Sequence, residues 1–279
     1  VSAHPTAAGT ASAAPAAARV RHARTWLLRS PLAGEIAPDA PRADVVVLDL
    51  EDGLPASRKD EGRSRALRAA ELAPVWLRIS AAGTADGDAD LALAAALGDR
   101  LGGVVLAMCA SPADLDLVDR RLNASVPVVA MIETATALLA AAAIAAHPRT
   151  SRLAFGIGDF RRDTGMSADP VALAWPRAQL TVASAAAGIA GPIDGPCGPV
   201  SHARTAAAHA ASVGFTGTLV LDAAAVSGAH AGFTPAPAEV TEARALLAAS
   251  PPGDVDGSYA PALARARALV ARAEALASL

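Results

Sequence analysis

Short β-like runs that stop on a charged residue, each followed by an alanine-rich helical stretch, recur along this chain and limit its fold more than any other feature. VVVLDLEDG (45–53) runs into Asp49, Glu51 and Asp52, and VWLRIS (75–80) stops on Arg78. VVAMIET (128–134) stops on Glu133, and LAFGIGDF (153–160) reaches Asp159 through Gly156 and Gly158. GPID (191–194) ends at Asp194 and GTLVLD (217–222) at Asp222. Apolar runs alternating with helical stretches predict an α/β protein with a parallel sheet. In a (β/α)8 TIM barrel the catalytic residues come from the C-terminal ends of several strands, so the charged run-ends predict where the chemistry gathers.

Strands are expected at Thr25–Leu28, Val45–Leu50, Val75–Ile79, Val104–Leu106, Val128–Ile132, Leu153–Phe155, Ile189–Ile193 and Thr218–Leu221. Helices are expected at Arg58–Leu72, Ala89–Leu97, Pro112–Leu122, Ala135–Ala146, Val171–Ala187 and Ser201–Val213. Ser111 and Pro112 make an N-cap and first-turn pair, and Gly188 and Gly214 stand where helices should stop. The first βα unit, Pro31–Pro41, is proline-rich and poorly helical. The expected organisation is an unstructured, low-complexity tail over residues 1–20, a barrel over 21–233 and a C-terminal helical extension over 234–279, with helices at Ala238–Ala249 and Pro261–Leu279. A chain of 279 residues suits one barrel, which typically takes about 250.

Composition removes several classes of function. Aromatics make up 3% of the chain and the net charge is −3, so a base-stacking or polyanion-binding surface is not expected. The longest nearly apolar stretch, Ala135–Ala146, falls short of the ~20 residues of a membrane span. The start of the chain lacks the pattern of a secretory signal. Cys109 and Cys197 form no metal spacing and no disulfide framework, which suits a reducing cytoplasm.

Glu133 and Asp159 end neighbouring runs, so their carboxylates can converge. Two carboxylates with open positions suit Mg²⁺, which keeps several waters and is rarely caged by protein alone. Equally, Glu133 could open the next helix and favour its dipole, and Asp159 could be a turn residue. Arg78 could hold a carboxylate bidentately or be an ion-pair partner of the acids nearby. Asp49, Glu51 and Asp52 cannot all point into a barrel mouth, because strand residues alternate; one or two would orient metal-bound water or Arg78, and one would cap a helix. Arg24 and Arg29 flank the first strand and could meet phosphates or belong to a solvated basic tail. His202 and His209 read as helix-face residues, Met108 and Cys109 as packing, and Asp222 as a site residue or a cap.

Taken together, these segments resemble the citrate lyase β-subunit-like branch of the HpcH/HpaI aldolase and citrate lyase superfamily. The resemblance rests on RTWLL (24–28), VVVLDLEDG with Lys59 and Arg63 behind it, VWLRIS followed by Gly83-Thr84, and MIETATALLAAAAIAAHP (131–148). LAFGIGDFRRDTG (153–165), GPIDG (191–195), SVGFTGTLVL (212–221) and AGFTPAPAEVTEARALLAA (231–249) complete it in the family's order. It implies a Mg²⁺-dependent TIM-barrel lyase, homo-oligomeric and often trimeric, that cleaves or forms C–C bonds of 3-hydroxyacyl-CoA thioesters such as citryl-CoA or malyl-CoA, in a family of which some members hydrolyse the thioester. By position it implies Glu133 and Asp159 as metal ligands, with Glu133 near substrate, Arg78 on the carboxylate of the oxo-acid fragment, and Glu51 or Asp52 behind them.

The chain departs from the family pattern at four places. Leu28-Arg29-Ser30-Pro31 replaces a phenylalanine–valine–proline–glycine turn, and Met108 replaces a lysine. Thr218 and Leu221-Asp222-Ala223 replace a lysine and an isoleucine–histidine–proline sequence. Asp256-Gly257 reaches Pro261 through only Ser258-Tyr259-Ala260, without the aspartate the family offers there as an acid/base. Slow turnover of citryl-CoA or malyl-CoA is therefore expected, unless Asp222, Asp254 or Asp256 takes over. The alternatives are an aldolase acting on free oxo-acids and a catalytically weak ligand-binding or regulatory subunit.

Overall fold

Eight parallel strands close into a barrel in sequence order: Thr25–Arg29 (β1), Val45–Asp49 (β2), Val75–Ile79 (β3), Leu101–Leu106 (β4), Val128–Ile132 (β5), Thr150–Phe155 (β6), Ile193–Asp194 (β7) and Gly217–Val220 (β8). The computed structural model describes residues 16–34, 41–196, 198–249 and 257–279. Residues 1–15, the middle of the predicted first βα unit, Cys197, Asp254 and Asp256 lie outside them. β8 closes on β1 through Thr25↔Thr218, Trp26↔Leu219 and Leu27↔Val220. Helices follow at Ala16–His22 (α1), Lys59–Ala69 (α2), Ala85–Leu97 (α3), Pro112–Asp119 (α4), Ala135–Ala146 (α5), Ile157–Thr164 (α6), Ala174–Ala186 (α7), Ala203–Ser212 (α8), Val226–Phe233 (α9), Pro237–Ala248 (α10) and Tyr259–Ala277 (α11). Three of these, α1, α6 and α9, were not expected from the sequence. No described helix is long and apolar enough to cross a membrane.

Alternation along the strands divides the core. Trp26, Val47, Trp76, Val105, Val129, Met131, Ala154, Ile193 and Leu219 fill the barrel; Trp26 and Trp76 meet edge-to-face, with centroids 5.0 Å apart. The opposite faces of β3 to β6 pack against α3, α4 and α5 through Leu77, Leu91, Leu106, Leu115, Ile132 and Ile144. Thr84 caps α3 by accepting from the Gly87 N–H, and Thr134 caps α5 by accepting from the Ala137 N–H. Val46, on the outward face of β2, is 39% exposed, in keeping with the weakly helical sequence between β1 and β2.

An arginine closes the N-terminal end of the barrel. Arg152 is fully buried on β6. Its Nη1 donates to the carbonyls of Val20 (3.0 Å) and Ala23 (2.9 Å), and its Nε to that of Gly191 (3.0 Å). Nη2 donates to Pro192 O (3.3 Å) and Thr216 Oγ1 (2.7 Å), and the guanidinium stands 5.8 Å from the Trp26 ring centroid. Residues 16–20, expected to belong to the tail, are instead part of α1, because Val20 is buried and its carbonyl is held by Arg152.

Arg24 is at this end too. Its backbone N–H and Nε donate to Asp44 Oδ2 at 2.7 and 3.0 Å, and His230 Nε2 lies 3.2 Å from Asp44 Oδ1. Burial raises the Asp44 pKa, but the hydrogen bonds from His230 and Arg24 outweigh it and hold the carboxyl well below the usual range. The depressed folded-state pKa means a contribution to stability that is fully present above the unfolded value of about 4 and lost as pH falls below it. Asp44→Asn should therefore flatten the acid limb of a Tm–pH profile below about pH 4. An unchanged limb would place acid sensitivity elsewhere.

Candidate metal and substrate site

Register brings the first two charged groups together. Asp49 and Arg78 are paired residues of β2 and β3. Arg78 Nε donates to Asp49 Oδ1 at 2.7 Å and Nη2 to Oδ2 at 2.6 Å, while Nη1 lies 3.0 Å from Glu51 Oε2. Arg78 is thus a bidentate ion-pair partner of Asp49, one of its two open readings, and it also lines the cavity at the C-terminal ends of the strands. Three of its five donors are engaged in these contacts, which leaves one N–H on each terminal nitrogen. The surrounding acids hold Arg78 charged despite its burial.

The turn after β2 is fixed from behind. Lys59, the only lysine, donates to the carbonyls of Leu50 and Glu51 at 2.6 and 2.8 Å. Arg63 binds Asp60, Asp86 and Asp90, and Asp90 Oδ2 accepts from the Ser80 N–H at 2.9 Å, just beyond Arg78. The Glu51 N–H donates to Asp49 Oδ1 (3.1 Å), and the Asp52 N–H to Glu51 Oε2 (3.0 Å). A Cβ on Gly53 would come within 2.7 Å of Asp49 Cγ, so the turn needs glycine there. Asp49 and Glu51 accordingly orient Arg78, while Asp52 is exposed at the mouth; none of the three caps a helix.

Glu133 directly follows β5 and is 1% exposed. Its Oε2 accepts from the Met108 N–H at 2.6 Å. Met108 holds a left-handed backbone (φ +52°), uncommon for a residue with a side chain; its functional contribution is this N–H, beyond the packing read from the sequence. Gly156 lies against the other side of Glu133, where a Cβ would overlap Cγ and Oε1. Burial pushes the Glu133 carboxyl up to about 7, and the charges of Glu51 and Asp159 add to this, against the Met108 N–H and Arg78. Glu51 is raised in the same way, by burial first and then by Asp52 and Asp49, against Arg78.

Asp159 is placed differently from expectation. It lies in the first turn of α6, not at a strand end, and its Oδ1 is 2.6 Å from Arg162 Nη1. Glu133 and Asp159 both line one cavity of about 400 Å³, with Arg78, Ser30 and Asp52 as further polar groups and Leu28, Met131, Leu219 and Leu221 as an apolar side. Arg24 does not reach this cavity. Its assignment to substrate fails because β1 separates it from the mouth and Asp44 occupies its guanidinium. Asp222 is exposed and caps the turn after β8, accepting from the Ala224 N–H at 2.9 Å.

The residues fit a hard divalent cation. Asp49, Glu51 and Glu133 surround Arg78, and Asp52 and Asp159 line the same cavity, so the mouth carries more negative than positive charge, and Glu133 is buried with one backbone donor. No group of three or more metal-ligating side chains converges among the described residues. Glu133 and Asp159 line the cavity with room for water and substrate oxygens beside them, a setting that suits Mg²⁺.

Comparison with known proteins agrees with this geometry. A profile of the HpcH/HpaI aldolase/citrate lyase family matches residues 30–223, and one of the HpcH/HpaI aldolase C-terminal domain matches residues 238–277. The chain belongs to the HpcH/HpaI aldolase/citrate lyase family. A (3S)-malyl-CoA thioesterase of Cereibacter sphaeroides is 31% identical over 257 residues, covering 85% of this chain and 88% of its own. An L-malyl-CoA/β-methylmalyl-CoA lyase of the same organism is 28% identical, over 75% of this chain and 78% of its own. The structure of protein CitE from Mycobacterium tuberculosis in complex with magnesium, acetoacetate and coenzyme A superposes with a TM-score of 0.72 at 28% identity, covering 91% of this chain and 99% of that one. Within the family, α10 and α11 correspond to the segment matched as the C-terminal domain.

Proposed function

We propose that this chain is a Mg²⁺-dependent lyase that cleaves the C–C bond of a small 3-hydroxyacyl-CoA thioester such as malyl-CoA. The observation that carries this reading is the cavity shared by Glu133, Asp159 and the outer edge of Arg78. The magnesium in the CitE complex supports the choice of ion. Glu133 and Asp159 would hold Mg²⁺, which when bound supplies Lewis-acid polarisation of substrate oxygens and compensates charge. Asp159 would exchange its surface partner Arg162 for the ion. Arg78, locked by Asp49 and Glu51, offers its two remaining terminal N–H groups to the substrate carboxylate. Met108 and Gly156 hold Glu133 in place from either side.

Proton transfer is the weak part of this apparatus. Among the described residues, Asp52 is the cavity carboxylate engaged neither with Arg78 nor as a proposed metal ligand, and it is exposed. General acid–base help is typically worth about 10²–10⁴-fold, so turnover below the usual ~1–10³ s⁻¹ is expected. The thioesterase among the relatives favours a second reading, thioester hydrolysis at the same site. Products distinguish the two: the lyase releases glyoxylate and acetyl-CoA from malyl-CoA, whereas the hydrolase releases malate and a free thiol.

Purified protein incubated with Mg²⁺ and malyl-CoA, assayed for glyoxylate and for thiol, tests both readings. Arg78→Lys keeps a charge but loses the planar fork, so KM should rise at least about tenfold, equivalent to ~1.4 kcal/mol. Absence of either product, together with no Mg²⁺-dependent binding of oxaloacetate or glyoxylate, would overturn the proposal.

A further inference from the structure

We propose that the N-terminal end of the barrel, opposite the catalytic mouth, holds a second site that binds a small multivalent oxyanion. A cavity of about 460 Å³ opens there between the end of α1 and the segments that lead into β5, β6 and β7. Arg21, His22, Arg149 and Ser151 are among its lining residues, and no acidic side chain is. Arg149 is 7% exposed. Its Nη1 donates to Asn123 O at 3.1 Å, and its Nε lies 3.1 Å from Asp119 Oδ1, too obliquely for a hydrogen bond. Its Nη2 is buried without an acceptor among the described residues. Leaving a buried charged donor unmade is costly, and a small turn of the guanidinium toward the cavity would bring Nη2 to an anion oxygen there.

The charge balance around the cavity points the same way. Elsewhere, buried arginines donate hydrogen bonds to carboxylates, Arg78 to Asp49, Arg177 to Asp194 and the largely buried Arg63 to Asp90, whereas Arg149 has only the oblique contact with Asp119. Arg152, beneath α1, is held by carbonyls and a threonine hydroxyl, and Arg272 donates to the carbonyls of Thr216 and Phe233. Arg21, Arg152 and Arg272 all lie close enough to His22 to disfavour its protonation, after the larger effect of its burial. Arg21, His22 and Arg149 line this opening, with Arg152 behind α1 and Asp119 at the Nε of Arg149 as the paired carboxylate, a balance that favours anions. No aromatic side chain other than His22 lines the cavity, so it offers no broad platform for a base and is suited to a free oxyanion.

Inorganic pyrophosphate is a suitable probe. Calorimetric titration of the metal-free protein at constant ionic strength should show saturable binding of one equivalent. Arg21→Ser, an exposed change that leaves the fold intact, should weaken it at least about tenfold, and Arg149→Gln should do so too. Arg78→Lys, at the other end of the barrel, should leave it unchanged. No saturable binding would overturn the proposal. So would binding that is indifferent to both Arg21→Ser and Arg149→Gln, or binding abolished by Arg78→Lys.

Discussion

Glu133→Gln should remove the Mg²⁺-dependent stabilisation of this protein and its turnover together. A ligand at 100 times its Kd stabilises the folded state by ~2.7 kcal/mol, which for a chain of this size is roughly 5–10 °C in Tm. The glutamine keeps the shape of the side chain and can still meet the Met108 N–H through its carbonyl oxygen. What it loses is the charge that a hard cation requires. Loss of a group behind a metal ligand typically costs 10–100-fold in affinity, so loss of the ligand itself should move the Mg²⁺ midpoint by at least about 100-fold. Asp159→Asn, in the half-exposed first turn of α6, carries the same expectation without altering a buried group. Thermal shift against Mg²⁺ concentration reads both variants, and unchanged midpoints would remove this pair as the metal site.

Arg152→Met should be the most destabilising single change at the floor of the barrel. The methionine matches much of the side-chain volume but removes five hydrogen bonds: the Val20 carbonyl and the Thr216 hydroxyl lose their donor, while the Ala23, Gly191 and Pro192 carbonyls keep only those from Trp26 Nε1, Thr216 Oγ1 and the Thr216 N–H. An orphaned buried acceptor costs about 1–3 kcal/mol; because water and neighbouring donors recover part of this, a total of ~3–5 kcal/mol is expected. Arg152→Lys should recover part of the loss, since an ammonium has three donors where the guanidinium uses all five. Urea denaturation measures both. A loss under about 1 kcal/mol for the methionine variant would show that the floor is held by packing alone.

The strands with β-branched, continuously apolar sequence were legible residue by residue: β3 and β5 run from Val75 to Ile79 and from Val128 to Ile132, as expected. β7 was not. Its ladder is confined to Ile193 and Asp194 because Pro192 has no N–H to give and the Gly191 and Pro192 carbonyls turn to Arg152. Helix α6 was hidden by Gly156 and Gly158, which read as a strand end, so Asp159 was placed on the right side of the barrel but on the wrong element. Helices α1 and α9 owe their order to tertiary contacts that no local pattern announces: Val20 beneath Arg152, and Phe233 in the core shared with α8. The charged strand ends put Arg78 and Glu133 on the cavity because β alternation carries both inward. Arg24 misled because a residue just before β1 belongs to the opposite end from one just after it. Met108 could not be singled out, since a left-handed methionine leaves no trace in composition; only its place just after β4 marked it.

The Arg152 clasp also sets an order of events during folding. Its bonds to Val20 and Ala23 span 132 and 129 residues, and its bond to Thr216 spans 64 in the other direction. Contacts of such separation form late, because loop closure must come before any of them contributes. A chain emerging from the ribosome N-terminus first can assemble β2 to β5 locally, each strand on its predecessor. The first strand can pair with β2 early, but its other edge has no partner until β8 has been synthesised more than 190 residues later. The start of the barrel is thus among the last parts of it to be completed, and until then β1 presents an open edge to whatever else is nearby.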